Sequence, residues 1–357
     1  MKVTKDSDLD LDVMVIGGRR CGKTSVLAAM QSSFDNAMRD TPLTIVPADD
    51  VSLRDLTKKK EEANTFFLNR LRQPSFTTDH EIGTKEQTTY SFDVGLNGKK
   101  SRIRVNFADY PGEWLDDPID IEHEKALAKM MQKSRILVIA IDTPYLMEEK
   151  GQYNEERNVC SKITSLIVKT KFADPARGPQ LVLFVPLKCE RYYNERRMDE
   201  VSARVRESYG QLIQNLEKPS SDGMRSKTTL VIAPILTLGG AAFSRFGRNE
   251  DGTYEMHEQY HFPCKELFNF PDRSVDKPDP MYCEQPILYI LHHVLKQAAA
   301  ARDLGKTGWK LLDVLGAWWQ ETVLKWPAAG DYLDQGETIR ERMKRHGDGY
   351  TVLSDAR

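Results

Sequence analysis

The run Val13-Met14-Val15-Ile16-Gly17-Gly18-Arg19-Arg20-Cys21-Gly22-Lys23-Thr24-Ser25 limits what this chain can fold into. β-Branched and other apolar residues come first, then G-x-x-x-x-G-K-T, then the apolar helix start Val26-Leu27-Ala28-Ala29-Met30. A strand, a loop and a helix in that order predict a phosphate-binding loop. Gly17 and Gly22 permit backbone angles that a Cβ blocks, so successive N–H groups can turn inward around an anion. The helix start adds the positive end of its dipole at the same point. Gly18, Cys21 and Ser25 complete the cradle. Lys23 is placed to reach β- and γ-phosphates, and the Thr24 hydroxyl to bind Mg²⁺.

The rest of the chain alternates in a way that suits such a loop. Strand one is predicted at about Leu11 to Ile16, and its helix from Lys23 to about Ala37. A short strand at Leu43–Val46 and a polar helix from about Leu53 to Leu71, opened by Asp49-Asp50-Val51-Ser52, read as a surface insertion over 43–75. Thr88–Val94 and Arg102–Phe107 alternate like paired strands around the hairpin signal Gly95-Leu96-Asn97-Gly98. The apolar runs Ile136–Ile141, Leu181–Pro186 and Thr228–Leu236 read as strands buried on both faces. Helices are expected between them at about Ile119–Lys133, Tyr153–Lys169 and Met198–Leu216. Residues 240–280, rich in Gly, Asp, Asn and Pro, read as a loop or hairpin insertion. A helix from about Pro286 to Ala300 closes the domain. The prediction is an α/β three-layer fold with a mostly parallel sheet. It spans residues 11–300, preceded by a flexible tail at 1–10. An aromatic-rich helical extension over 301–357 carries Trp309, Trp318, Trp319 and Trp326, and its last residues, from Arg340, read as polar and mobile.

Composition removes several function classes. A formal net charge of −2 gives no basic field for nucleic acid. No apolar run approaches the ~20 residues of a membrane span, and the polar start is unlike a signal peptide. Five cysteines, odd in number and without C-x-x-C spacing, suggest reduced thiols and a cytoplasmic location.

Two further elements carry chemistry. Asp109-Tyr110-Pro111-Gly112 follows a strand, where a phosphate-loop enzyme keeps D-x-x-G. Asp109 is expected to hold Mg²⁺ and the Gly112 N–H to meet the γ-phosphate. Leu187-Lys188-Cys189-Glu190 follows the buried strand ending at Pro186, where N/T-K-x-D reads a guanine base. The Lys188 stem would cover the base and Glu190 accept from its N–H groups, while Leu187 departs from the polar residue usual there. Thr237-Leu238-Gly239-Gly240 is the candidate backing for the base, with Leu238 as its contact. A threonine must also reach Mg²⁺ from the stretch before the second strand. Thr77, Thr78, Thr84, Thr88 and Thr89 are available, and Thr84, after Gly83, is favoured.

Arg19 and Arg20 stand inside the loop where small residues are usual. Either guanidinium could stabilise transferring phosphate from within the chain, and Arg20 could replace a bound monovalent cation; the alternative is that both point to solvent or to an acid. Glu113 follows Gly112 where a water-positioning glutamine is common. A carboxylate there requires a cationic partner or a raised pKa, or else a structural role. His257-Glu258-Gln259-Tyr260-His261 spells the zinc-protease pattern H-E-x-x-H. That chemistry needs a helix, whereas these residues alternate like a strand and have no clear third ligand.

With these elements placed, a resemblance is visible. Asp109-Tyr110-Pro111-Gly112-Glu113-Trp114 resembles the D-Y-P-G-E-W segment of YcjX-type bacterial GTPases. Val185-Pro186-Leu187-Lys188-Cys189-Glu190, with Tyr282-Cys283-Glu284-Gln285-Pro286, resembles the bacterial double-GTPase group. Both belong to the TRAFAC class of P-loop GTPases, and the resemblance covers about residues 11–300. It implies a Ras-like fold, GTP and GDP as ligands, Mg²⁺ as cofactor, slow hydrolysis and a switch role. Double-GTPase proteins are associated with multi-gene bacterial conflict systems, which implies antiviral or self/non-self signalling. A protein effector, or a second copy of the chain, is expected on the Trp-rich C-terminal helices. A P-loop ATPase or phosphotransferase is the first rival reading, and a nucleotide-bound scaffold with little hydrolysis the second.

Overall fold

The computed structural model describes residues 2–3, 9–37, 43–72, 75–77, 87–96, 102–116, 120–174, 178, 180–218, 227–257, 261–303 and 351–354. Its main elements are β1 (Leu9–Ile16), α1 (Lys23–Ala37), β2 (Leu43–Pro47), α2 (Asp50–Asn69), β3 (Thr88–Leu96), β4 (Arg102–Asp109), α3 (Ile121–Lys133), β5 (Ile136–Asp142) and α4 (Cys160–Lys169). They continue with β6 (Gln180–Leu187), α5 (Met198–Ser208), α6 (Gly210–Glu217), β7 (Thr228–Ile232), β8 (Ala242–Phe246), β9 (Glu266–Asn269), α7 (Gln285–Asp303) and β10 (Thr351–Ser354).

Among the described residues, nine strands form the main sheet. Its order is β10-β7-β6-β5-β1-β4-β3-β2, with Lys2–Val3 antiparallel to the start of β1. β7, β6, β5, β1 and β4 run parallel, as the strand–helix alternation predicts. β5 and β6 are buried along their whole length, which is why their sequences are continuous apolar runs instead of alternating ones. Parallel strands open all their carboxyl ends on one edge, and that edge is where α/β sheets bind ligands. The predicted phosphate loop, D-x-x-G and K-x-E follow β1, β4 and β6 on it.

The 43–75 segment does more than decorate the surface. β2 pairs antiparallel with β3 and so extends the sheet. Asp49 caps α2, its carboxylate accepting from the Ser52 N–H at 2.7 Å. The helix is largely exposed, but Leu56 packs into the main core and Phe67 into a second one.

That second core is a feature the sequence patterning does not reveal. β8, β9 and the two-residue strand Ser75–Phe76 form a separate antiparallel sheet. Phe67, Phe76, Phe243, Phe246, Phe262, Phe268 and Phe270 fill the space beside it, with Phe66 stacked on Phe76 at 4.6 Å. The hairpin expected within 240–280 is therefore built by residues 242–246 and 266–269. Among the described residues of 253–263, Tyr254 and Met256 form isolated bridges with Arg248 and Pro263. At the H-E-x-x-H run, the His257 N–H donates to the Phe262 carbonyl at 2.8 Å, a hairpin-type contact that a helix would not make.

Two helices expected to be continuous are broken. Val159, at φ +47°, separates the short helix Asn154–Asn158 from α4. Tyr209 separates α5 from α6, directly before Gly210. At the other end of the chain, Thr351–Ser354 pair with β7 instead of forming a mobile polar tail. The tryptophans from Trp309 to Trp326, like Thr84, lie outside the described residues.

Candidate functional site

The phosphate loop leaves β1 at Gly17 and enters α1 at Lys23. Gly22, at φ +104°, makes the turn into the helix. Lys23 is 6% exposed, and its ammonium lies back across the loop, donating to the Gly17 and Gly18 carbonyls at 3.1 Å each. Cys21 is fully buried, and burial pushes its thiol up despite the nearby Lys23 charge, so it is an inert packing residue. Leu187 explains its own departure from the usual polar residue. Its side chain packs on the loop, close enough that a Cβ at Gly22 would lie 3.3 Å from it.

The D-x-x-G segment closes on this loop. The Thr24 hydroxyl donates to Asp109 Oδ2 at 2.7 Å, and Asp109 is wholly buried at the end of β4. The other carboxylate oxygen, Oδ1, accepts from the Tyr110 N–H at 3.0 Å. The Tyr110 hydroxyl lies against both backbone groups of Gly17, accepting from its N–H at 3.3 Å and 3.4 Å from its carbonyl oxygen. Gly112 packs so tightly that a Cβ there would stand 2.4 Å from the Arg19 Cα. The structure thus brings together Gly17, Gly18, Arg19, Lys23, Thr24, Asp109 and Gly112. Among the remaining threonine candidates, Thr88 pairs in register with Asp109 across β3 and β4.

Arg19 and Arg20 divide in role. Arg19 Nε lies 3.2 Å from Glu113 Oε1, which supplies the cationic partner that a carboxylate at 113 requires. Arg20 has an exposed side chain and a left-handed backbone at φ +52°. Its carbonyl accepts from Arg157 Nη2 at 3.0 Å.

Arg157, Asp142 and Glu266, which sequence reasoning passed over, form a buried group with Lys188. The Arg157 guanidinium donates twice to Asp142 Oδ2, at 3.0 and 2.9 Å. The Lys188 ammonium also donates to Asp142 Oδ2, at 2.9 Å, and to Glu266 Oε2 at 2.6 Å. Arg157 and Glu266 approach to 3.4 Å. All four side chains are under 10% exposed, and the formal charges cancel, which is how such a cluster survives burial. Burial pushes Lys188 down, but Asp142 and Glu266 more than reverse this and keep it cationic. Burial, then the Asp142 charge, pushes Glu266 up to about 7 against Lys188 and Arg157. The kink at Val159 positions the cluster. It turns Arg157 inward and lets the Asn158 side chain bond both the Asp142 N–H and the Asp142 carbonyl, at 2.7 and 3.1 Å.

At the Lys188–Glu190 segment, Glu190 opens the short helix Glu190–Asn194 and is 3% exposed. Its Oε1 accepts from the Leu238 N–H and from the Gly239 N–H, the latter at 3.1 Å. Burial pushes its carboxyl up to about 7 against the opposing pull of the Glu190, Leu238 and Gly239 amides and of Lys188. The Lys188 N–H donates to Thr237 Oγ1 at 3.2 Å. Lys188 and Glu190 thus converge with the 237–239 loop, the Lys188 head committed to the buried acids. Among the described residues, no group of three or more His, Cys, Asp or Glu could hold a metal ion. The Thr24–Asp109 pair is an oxygen-donor arrangement of the kind Mg²⁺ accepts, since that ion takes few protein ligands and completes its shell with water and phosphate.

A family model described as Double-GTPase 2 matches the chain over residues 13–233. The chain belongs to this family. The matched span contains the phosphate loop, the Asp109–Gly112 segment and the Lys188–Glu190 segment, and it makes the protein a member of a GTP-binding GTPase family. The comparison with curated proteins gives no match. Among solved structures, a signal recognition particle receptor SRb-GTP/SRX complex from Chaetomium thermophilum is 12% identical, with 65% of this chain and 91% of that chain covered and a TM-score of 0.35. The S. cerevisiae Ski7 GTPase-like domain bound to GDP and inorganic phosphate is 14% identical, with 72% of this chain and 47% of that one covered and a TM-score of 0.35. The same domain bound to GTP is 15% identical, with 71% and 47% covered and a TM-score of 0.34. This double-GTPase chain therefore spans about half the length of the Ski7 chains it matches. No helix among its described residues is long and apolar enough to cross a membrane.

Proposed function

We propose that the protein is a Mg²⁺-dependent GTPase switch that works in the cytoplasm. The observation that carries this reading is the 2.7 Å bond joining Thr24 to Asp109, with Gly112 packed on the Arg19 backbone. Phosphate loop and D-x-x-G are then one unit, so a change at the γ-phosphate is felt at both. Loop amides from Gly18 to Ser25 and the Lys23 ammonium hold the phosphates. Thr24 and Asp109 hold Mg²⁺, with Thr84 as the proposed third contact. Bound Mg²⁺ would neutralise charge on the β- and γ-phosphates. Arg20, exposed beside the loop, stabilises charge on the transferring group, and Arg19 keeps Glu113 neutralised nearby. The Lys188 stem and Glu190 face the base. A role in bacterial conflict or antiviral signalling, through an effector or second copy on the C-terminal segment, follows from the family resemblance.

Binding of GTP, GDP and ATP to the purified protein, with Mg²⁺ and with EDTA, tests this together with multiple-turnover hydrolysis. The expected result is Mg²⁺-dependent GTP turnover that Lys23→Ala abolishes. ATP binding at least as tight as GTP binding, and unaltered in Glu190→Ala, would replace the reading with a P-loop ATPase. Tight GTP binding without turnover would replace it with a scaffold.

A further inference from the structure

We propose that Glu190 reads a bound purine through a single carboxylate oxygen, so that the site selects the 6-oxopurine N1–H and is nearly indifferent to the 2-amino group. The proposal rests on the reading of this edge as a nucleotide site. A carboxylate oxygen offers about two lone-pair directions. Glu190 Oε1 has filled both, with the Leu238 and Gly239 amides. Oε2 is buried and has no hydrogen-bond partner among the described residues. Guanine presents two adjacent donors, N1–H and the 2-amino group, and an acid that reads both must turn both oxygens to them. Here only Oε2 remains for the base.

The loop that holds Oε1 is not free to retreat. A Cβ at Gly239 would stand 2.1 Å from the Asp279 carbonyl, so this backbone lies directly on the 279–280 segment. Leu236 exchanges two backbone hydrogen bonds with Met281, at 3.0 and 2.9 Å, which fixes the same loop from below. Glutamate supplies the reach. Its additional methylene, relative to aspartate, carries the carboxylate across to Leu238 and Gly239, and one oxygen stays there. Above about pH 7, where Glu190 is ionised, a lone acceptor suits N1–H in guanine and in hypoxanthine equally. It repels adenine, whose N1 is an acceptor.

Competition binding of GTP, ITP and ATP in Mg²⁺ at about pH 8, where Glu190 is ionised, tests this directly. GTP and ITP are expected within about threefold of each other, with ATP at least tenfold weaker. A hydrogen bond to a charged group is worth about tenfold or more in affinity, so a GTP preference of tenfold over ITP overturns the proposal and leaves the GTPase reading intact. If neither GTP nor ITP binds, both readings fall together. Glu190→Asp withdraws the carboxylate from the 238–239 amides and frees its second oxygen. That variant is expected to open a GTP-over-ITP gap of about tenfold. A folded Glu190→Asp protein that still binds the two equally removes Glu190 as the cause.

Discussion

The two ends of the candidate site are constructed differently. At the phosphate end, contacts are mostly backbone or local. Gly18 and Gly112 let main chains approach, Gly22 makes the left-handed turn, and one hydroxyl–carboxylate bond joins the two loops. At the Lys188 end, four buried charges drawn from β5, the short helix Asn154–Asn158, the residue after β6 and β9 hold one another. A site of backbone amides tolerates side-chain loss. A closed set of buried charges does not, because each remaining member is left unbalanced.

The sharpest way to break this contrast is to remove Glu266. Glu266→Ala strands Lys188 and Arg157 with one acid between them and is expected to lower stability by about 3–5 kcal/mol in urea unfolding. A loss under about 1 kcal/mol would make the two ends equivalent. Next in size, Asp109→Asn is expected to slow GTP hydrolysis by about a hundredfold while moving the urea midpoint little. A large stability loss in that variant would mean that the phosphate end, too, is structural.

The pH dependence separates the ends further. The Glu190 carboxyl sits at about 7 in the folded chain against an ordinary 4.5. The folded state therefore holds a proton that the unfolded state has released. Stability from this group is full below about pH 4.5 and falls as pH rises to about 7. Glu190→Gln should erase that decline, about 3 kcal/mol, read as urea midpoints at acid and neutral pH. An unchanged slope would show that Glu190 ionises freely. The smallest stability effect belongs to the half-exposed Arg19–Glu113 pair. Arg19→Ala is expected to change stability by less than about 1 kcal/mol. Arg20→Ala should slow hydrolysis more than it weakens GTP binding, and unchanged turnover would remove Arg20 from the chemistry.

The contrast also explains what could be read beforehand. The phosphate loop, Asp109 and Gly112 are legible because their chemistry depends on short spacings after a strand. The mostly parallel character of the sheet follows from strand–helix alternation and from the apolar runs at β5, β6 and β7. The Glu113 requirement for a cation follows from charge alone, and Arg19 meets it. The buried cluster carries weaker signals. Lys188 is legible as part of K-x-E but not as a cluster member, and Asp142 shows only as an acid closing an otherwise apolar strand. Glu266 gives none, because its strand partner is Phe246 while its ionic partners Lys188 and Arg157 lie 78 and 109 residues away. Val159 hides the kink, since a β-branched residue rarely takes a left-handed backbone and nothing local demands it.

That kink reaches back to the phosphate loop. A Cβ at Gly18 would lie 2.0 Å from the Arg157 carbonyl oxygen. The second residue of the loop is therefore small because of a neighbour, independently of any anion. Among descendants of a common ancestor, position 18 and the bend at 159 should change together. A lineage that straightened this helix would be free to carry a side chain at 18, and one that kept the bend would be held to glycine.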